Sequence, residues 1–341
     1  MSIADYHATT GNWREQLKRN ERKTRAVILT FILIYIGVGL LVDVVILQSS
    51  HPHAPLGKLF LALITFKAVP FATLIMGAIA VVSLLIAYAL YDRLMLLGTD
   101  SREITPETAQ TLQEKQLYNV VEEMKVAAGL QYMPKVYLIE ANYMNAFATG
   151  YSEKSAMVAI TRGLMEKLDR AEMQAVMAHE LSHIRHHDIK LTLMVAILSN
   201  ILLMVVDVLF YSVLYKRDRR NSDNRLVMVI IVLRYLLPLL TVILSLFLSR
   251  TREFMADAGS VELMRDNEPM ARALLKIGED HQTHAEEYTQ EYGKTAHEQI
   301  RQASYLFDPS SIDPVKSLNS LFSTHPEIES RLESIGFKSK K

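Results

Sequence analysis

The chain has 341 residues, 37 basic against 37 acidic side chains, half of its residues apolar, and no cysteine. Balanced charge argues against a nucleic-acid partner, which needs a basic surplus to meet phosphates. The absence of cysteine excludes disulfides and thiolate metal sites, leaves His, Asp and Glu as metal ligands, and fits a reducing compartment.

Residues 1–25 form a basic N-terminus, with Arg14, Lys18, Arg19, Arg22, Lys23 and Arg25 set against Glu15 and Glu21. The apolar run Ala26 to Leu47 follows, broken by one charge, Asp43. At ~1.5 Å per residue it can cross a hydrocarbon core of ~30 Å. It is too long for a signal peptide and no clear small-x-small cleavage site follows it. Ala68 to Tyr91 is a second run, free of charge, preceded by Lys67 and closed by Asp92 and Arg93. Residues 26–91 therefore read as a two-helix membrane hairpin. The basic N-terminus places itself in the cytoplasm, 48–67 becomes an outer loop, and the second crossing brings the chain back inside.

Residues 92–188 have a soluble composition. Thr105-Pro106-Glu107 predicts a helix start, with the helix running to Ala128 and ended by Gly129. Lys135 to Glu140 and Ser155 to Thr161 read as strands, and NAFATG, Asn145 to Gly150, lies between them as a sheet edge. A small sheet beside helices is an α+β arrangement. Asp169 with Glu172 three residues on marks the start of a further helix, which carries HELSH at His179 to His183. Residues four apart share a helix face, so His179 and His183 aim at one point and can hold one metal ion, while Glu180 can reach a water there without ligating. A surface helix carrying histidines on its polar side by chance is the competing explanation.

Residues 189–249 turn apolar again. Leu191 to Tyr215 contains one charge, Asp207, and Leu226 to Ser249 contains Arg234 and a Pro238 expected to kink it. The basic loop between them, 216–225, falls outside by parity, against the positive-inside tendency, so the hairpin either crosses fully or lies partly embedded. Asp207 precedes Lys216 by nine residues and Arg234 follows Arg225 by nine. In an antiparallel hairpin both charges sit about 13 Å from the loop ends, where a pair offsets the cost of burying either one. An intramembrane ion pair fixing the hairpin register is therefore expected, the alternative being that each charge faces a water-filled groove or snorkels separately. Residues 250–341 return to soluble composition and open on a helix through REFMADAGS. Glu279 to Gln302 reads as a polar surface helix with solvated His281, His284 and His297, and Phe337 to Lys341 as a frayed tail.

A catalytic zinc takes three protein ligands and leaves one position open. His187 is a local candidate for the third, but on a straight helix its imidazole would stand ~12 Å from that of His179 by rise alone. Glu253 is the other candidate. Asp257, one turn later, suits a carboxylate that orients a ligand histidine through its free N–H. If Glu253 meets His179, the intervening chain must cross the membrane an even number of times, and two apolar runs satisfy this.

HELSH followed by Asp188, EFMAD, the upstream NAFATG and STHPEIESR at Ser323 to Arg331 together resemble the HtpX-type membrane zinc endopeptidases, relatives of the CAAX prenyl endopeptidases. The resemblance runs from the first apolar run to about Arg331. It implies a mainly α membrane protein with four hydrophobic segments and a small β-sheet, whose gluzincin-like α+β zinc protease domain is built from 92–188 and 250–341. It implies one Zn2+ on His179, His183 and Glu253, with Glu180 as general base and acid, and Asp257 beside His179. His325 would bond the oxyanion and Arg331 would brace the site. An extended peptide would pair with the Asn145, Ala146, Phe147 edge, Asn145 fixing it by its amide. The implied role is clearance of damaged membrane proteins at a bacterial inner membrane, with the active site on the cytoplasmic side, self-cleavage included. A narrow prenyl-peptide processor and a non-catalytic membrane scaffold are the alternatives.

Overall fold

The computed structural model describes residues 3–8, 13–95, 100–150, 152–215, 224–288, 306 and 325–339. In chain order the elements are β1 (Tyr6–Ala8), α1 (Trp13–Ser50), α2 (Leu56–Ile64), α3 (Phe71–Met95), β2 (Ser101–Ile104), α4 (Leu112–Ala128), β3 (Lys135–Ile139), β4 (Ala146–Thr149), β5 (Met157–Thr161), α5 (Arg162–Lys167), α6 (Arg170–Arg185), α7 (Asp188–Tyr215), α8 (Asn224–Met264), α9 (Glu268–Thr283), α10 (Ile328–Ser334) and β6 (Phe337–Ser339). They sort into two units. One comprises Met1–Thr24, Tyr88–Leu191 and Leu248–Lys341, the other Arg25–Ala87 and Thr192–Phe247.

The second unit holds most of the long apolar runs. Among the described residues three helices are long and apolar enough to cross a membrane, α1, α7 over Asp188–Ser212 and α8 over Leu226–Met264, and α3 adds a shorter apolar stretch over Phe71–Ala87. The chain is an integral membrane protein, and all four expected apolar runs are helical, three of them of spanning length among the described residues. The unit packs around Tyr35, Val38, Met76, Leu202, Val206 and Leu237, while Leu33, Leu85, Val208 and Met228 lie exposed, as side chains that face lipid would. Two polar contacts join its helices. Asp43, buried in α1, accepts from the Ala72 amide at 2.7 Å, the Thr73 amide at 3.1 Å and the Thr73 hydroxyl at 2.7 Å, which satisfies orphan donors at the start of α3. Arg234 meets Asp207 in an ion pair, and its guanidinium also sits 5.5 Å from the Phe210 ring centroid. The expected outer loop contains a helix, α2, because Leu56 to Ile64 is apolar enough to bury Leu59 and Leu63. Pro238 lies within the uninterrupted α8. Residues 216–223 of the basic loop lie outside the described residues.

The first unit is α+β. Its sheet has the order β2-β3-β5-β4, with β3 and β5 parallel and both outer pairs antiparallel, so that Val136 faces Val158 and Ala146 faces Ile160. The buried faces of α4, α6 and α9 close over Val120, Leu138, Ile160, Val176, Leu181 and Leu274 in one core. Helix α6 begins as expected, with the Asp169 carboxylate accepting from the Glu172 amide at 2.9 Å and the Glu172 carboxylate accepting from the Asp169 amide at 2.8 Å. Helix α4 does end at Gly129, in the left-handed region at φ 72°. Its start differs from expectation. Thr105 and Thr108 instead close a turn on each other's amides, and the helix begins at Leu112 because Thr111 caps the Glu114 amide. The polar C-terminal half also differs. His281 is fully buried, its Nδ1 3.0 Å from the Ile277 carbonyl and its ring edge-on to Tyr288, whereas His284 stacks on the same tyrosine. His297 lies outside the described residues. The expected frayed tail is, over its described residues 337–339, the strand β6, antiparallel to β1 and with Phe337 in the core.

Candidate metal centre

Helices α6 and α8 bring the candidate residues together. His179, Glu180 and His183 come from α6, and Glu253 and Asp257 from α8. His325 precedes α10 and Arg331 lies in it. The two histidine Nε2 atoms stand 3.1 Å apart. Glu253 offers Oε1 at 3.5 Å from His183 Nε2 and Oε2 at 3.8 Å from His179 Nε2. Ligands held about 2.0–2.1 Å from a tetrahedral zinc lie roughly 3.3 Å from one another, so this spacing fits one such ion. Glu180 and Glu253 are both buried, the Ala148 amide against the first and His325 against the second. Buried carboxylates so placed call for a cation. His179, His183 and Glu253 are the group among the described residues that could hold a metal ion.

The surroundings fix the protonation needed for ligation. Burial, then the nearby His179, hold His183 well below the usual histidine range, so it is the neutral ligand form at neutral pH. Burial, then the charge of Glu253, raise the Glu180 carboxyl well above the ordinary range, while the Ala148 amide and Arg331 act the other way. Asp257, fully buried, lies 2.9 Å from His179 Nδ1 and accepts two bonds from Arg331, at 2.9 Å from Nε and 2.7 Å from Nη2. That fork turns the Nε2 lone pair of His179 toward Glu253. His325 Nδ1 stands 3.2 Å from Glu253 Oε2, and Arg331 Nη1 3.6 Å from the same oxygen.

His187 is not in the group. Helix α6 stops at Arg185, and His187 is exposed in the left-handed region at φ 56°, so the straight helix assumed for its distance does not exist. Asp188, part of the motif that carries the resemblance, is the residue to which sequence reasoning gave no role. Its Oδ2 lies 2.7 Å from His183 Nδ1, and the corner at His187 brings it there. An acid five residues beyond the second histidine was the available signal.

The edge strand β4 is present, but its groups are already engaged. The Asn145 carbonyl accepts from the Thr161 amide at 3.0 Å, which turns the backbone of Ala146 and Ala148 away from β5. Asn145 Oδ1 accepts from the Ala146 amide at 3.0 Å, and the Ala146 carbonyl accepts from Leu306 at 2.8 Å. Phe147 is fully buried against Tyr143 and Tyr288.

The sequence model described as peptidase family M48 matches residues 111–336, which contain every residue of this centre. The chain belongs to peptidase family M48. A protease HtpX homolog of Helicobacter acinonychis is 40% identical over 325 residues, covering 95% of this chain and 98% of its own length. A protease HtpX homolog of Streptococcus uberis is 31% identical over 329 residues, covering 94% and 97%. The crystal structure of S. mikatae Ste24p is also similar, at 18% identity and a TM-score of 0.48, with 97% of this chain and 68% of that one covered. Family and apolar helices together make the chain a membrane metalloprotease, acting on peptides at a lipid bilayer.

Proposed function

We propose that the chain is a zinc-dependent endopeptidase of the bacterial inner membrane, working on the cytoplasmic side to clear damaged membrane proteins. The observation that carries this is the spacing of His179 Nε2, His183 Nε2 and the Glu253 carboxylate beside the buried Glu180. These three side chains would hold the zinc. Bound there, zinc polarises the peptide carbonyl and makes water acidic enough to lose a proton near neutral pH.

The protein's own residues do the rest. A Glu180 oxygen takes the proton of the attacking water and hands it to the departing amide nitrogen, and the raised affinity of this carboxyl for protons suits both transfers. Asp257 and Arg331 keep His179 in one tautomer and one orientation. His325, against Glu253, donates to the carbonyl oxygen as negative charge develops on it. With the Ala148 amide turned to Glu180, the Ala148 carbonyl would be the β4 group that accepts from an extended substrate, and backbone pairing reads no side chain. Broad specificity suits a clearance role. The basic first turns of α1, ahead of its apolar run, favour a cytoplasmic N-terminus.

Metal analysis and turnover of a fluorogenic peptide test the reading on full-length protein in detergent. Wild-type protein is expected to carry one zinc per chain, and Glu180→Gln to keep zinc while losing about 10²- to 10⁴-fold in turnover. Retained proteolysis in zinc-loaded Glu180→Gln would refute the role of Glu180. Labelling of the His179 and Glu253 segments from outside intact cells would refute the sidedness.

A further inference from the structure

Around His183 two buried charges stand outside the roles just given, Asp188 and Arg252. Asp188 Oδ2 is 2.7 Å from His183 Nδ1, and Arg252 forms an ion pair with the same carboxylate. Arg252 Nη2 also donates to the His186 carbonyl at 3.3 Å. Both side chains are nearly sealed from solvent, at 6% and 5% exposure, so each charge needs the other. The arrangement repeats that on the other histidine, where Asp257 lies against Nδ1 of His179 and Arg331 holds Asp257. Each histidine thus has a carboxylate on Nδ1, and each carboxylate has an arginine.

The backbone is shaped for this contact. His187 adopts φ 56° without being glycine, at a cost of roughly 1–2 kcal/mol, and this turn lets Asp188 fold back onto the last turn of α6. Arg252 precedes Glu253 directly in α8. The chain leaves the first unit after Leu191 and re-enters at Leu248, so Asp188 and Arg252 stand just inside the two junctions. One ion pair therefore fixes both the tautomer of His183 and the position of the helix turn that presents Glu253.

We propose that Asp188, held by Arg252, is a positioning residue for His183: it keeps the proton on Nδ1 and the Nε2 lone pair directed at Glu253. This rests on the metal reading of the centre. A geometry set by such a contact is worth about 10- to 100-fold in metal affinity. Zinc affinity of the full-length protein, measured by competition with a chromophoric chelator, gives a readout independent of catalysis. Asp188→Asn, close to isosteric, is expected to weaken zinc about 10- to 100-fold and to shift the absorption bands of the cobalt-substituted protein. With zinc in excess, kcat should fall while KM stays unchanged. Arg252→Gln should weaken zinc several-fold alone and add nothing in the Asp188→Asn background, because it acts through that carboxylate. It also carries the test by itself if Asp188→Asn does not fold. Wild-type zinc affinity and an unchanged cobalt spectrum in Asp188→Asn, or wild-type affinity in Arg252→Gln, would overturn the positioning role alone. A wild-type chain that takes up no zinc would overturn the metal reading and this proposal with it.

Discussion

Gly259 of α8 packs against Ser182 of α6, the two helices that present the candidate metal ligands, and Gly259→Ala tests how tightly the centre depends on their spacing. A Cβ there would lie 2.4 Å from Ser182 Oγ and 2.9 Å from Ser182 Cβ, where ordinary contact begins at 3.4 Å. Ser182 cannot swing aside easily, being fully buried with its hydroxyl bonded to the Ala178 carbonyl at 2.8 Å. Helices α6 and α8 must therefore part by up to ~1 Å. Overpacking of this kind costs about 1–3 kcal/mol, and the helix propensity gained by replacing glycine returns about 1 kcal/mol. Net destabilisation should be modest, at about 0–2 kcal/mol. Ligand distances, in contrast, tolerate only about 0.2 Å, so zinc affinity and turnover should fall further than stability does. Thermal unfolding and chelator competition on the same preparation separate the two. Adding Ser182→Ala removes the 2.4 Å contact and leaves the 2.9 Å one, so it should recover part of the affinity. Wild-type zinc affinity in Gly259→Ala, or no recovery in the double variant, would refute the coupling of helix spacing to the centre.

Other perturbations reach outside the centre. Burial holds His281 down at about 4, partly offset by its contact with the Ile277 carbonyl. An unfolded histidine titrates near 6.5, so the unfolded chain binds the proton first, and stability falls as pH drops from about 6.5 to about 4. At pH 5 the loss from this group is about 2 kcal/mol, and His281→Phe should remove part of the decline in melting temperature between pH 7 and pH 5, His186, also held down at about 4 by burial, supplying another part. An unchanged decline would exclude His281 as its source. In the membrane unit, Asp207→Asn and Arg234→Gln should each lower stability, and the double variant should regain part of the loss, whereas additive losses would mean the pair is not coupled. Asp43→Ala strips the donors of Ala72 and Thr73 of their acceptor and should cost about 1–2 kcal/mol by thermal unfolding in detergent. A melting temperature equal to wild type would refute that cap.

Local rules made part of the molecule legible. Apolar runs of spanning length, the Asp169–Glu172 capping box, the Gly129 helix end and the HELSH spacing each depend on residues within a few positions of one another, and the matching depths of Asp207 and Arg234 need only helix rise. What failed locally failed by competition: Thr105 and Thr108 satisfy each other's amides in a turn, and the better cap at Thr111 takes the helix start. Other features depend on contacts distant in sequence. His281 is buried because Tyr288 covers it, and Phe337 is in the core because β1 supplies a strand partner from the opposite end of the chain. The proposed centre joins α6, α8 and α10, and no periodicity within any one of them specifies that Glu253 comes within 4 Å of both histidine Nε2 atoms. The two carboxylates behind its histidines show the division most clearly. Asp257 was readable because it stands one helical turn from Glu253, whereas Asp188 reaches His183 only through the left-handed residue between α6 and α7, a conformation that a histidine adopts under tertiary constraint and that its sequence does not announce.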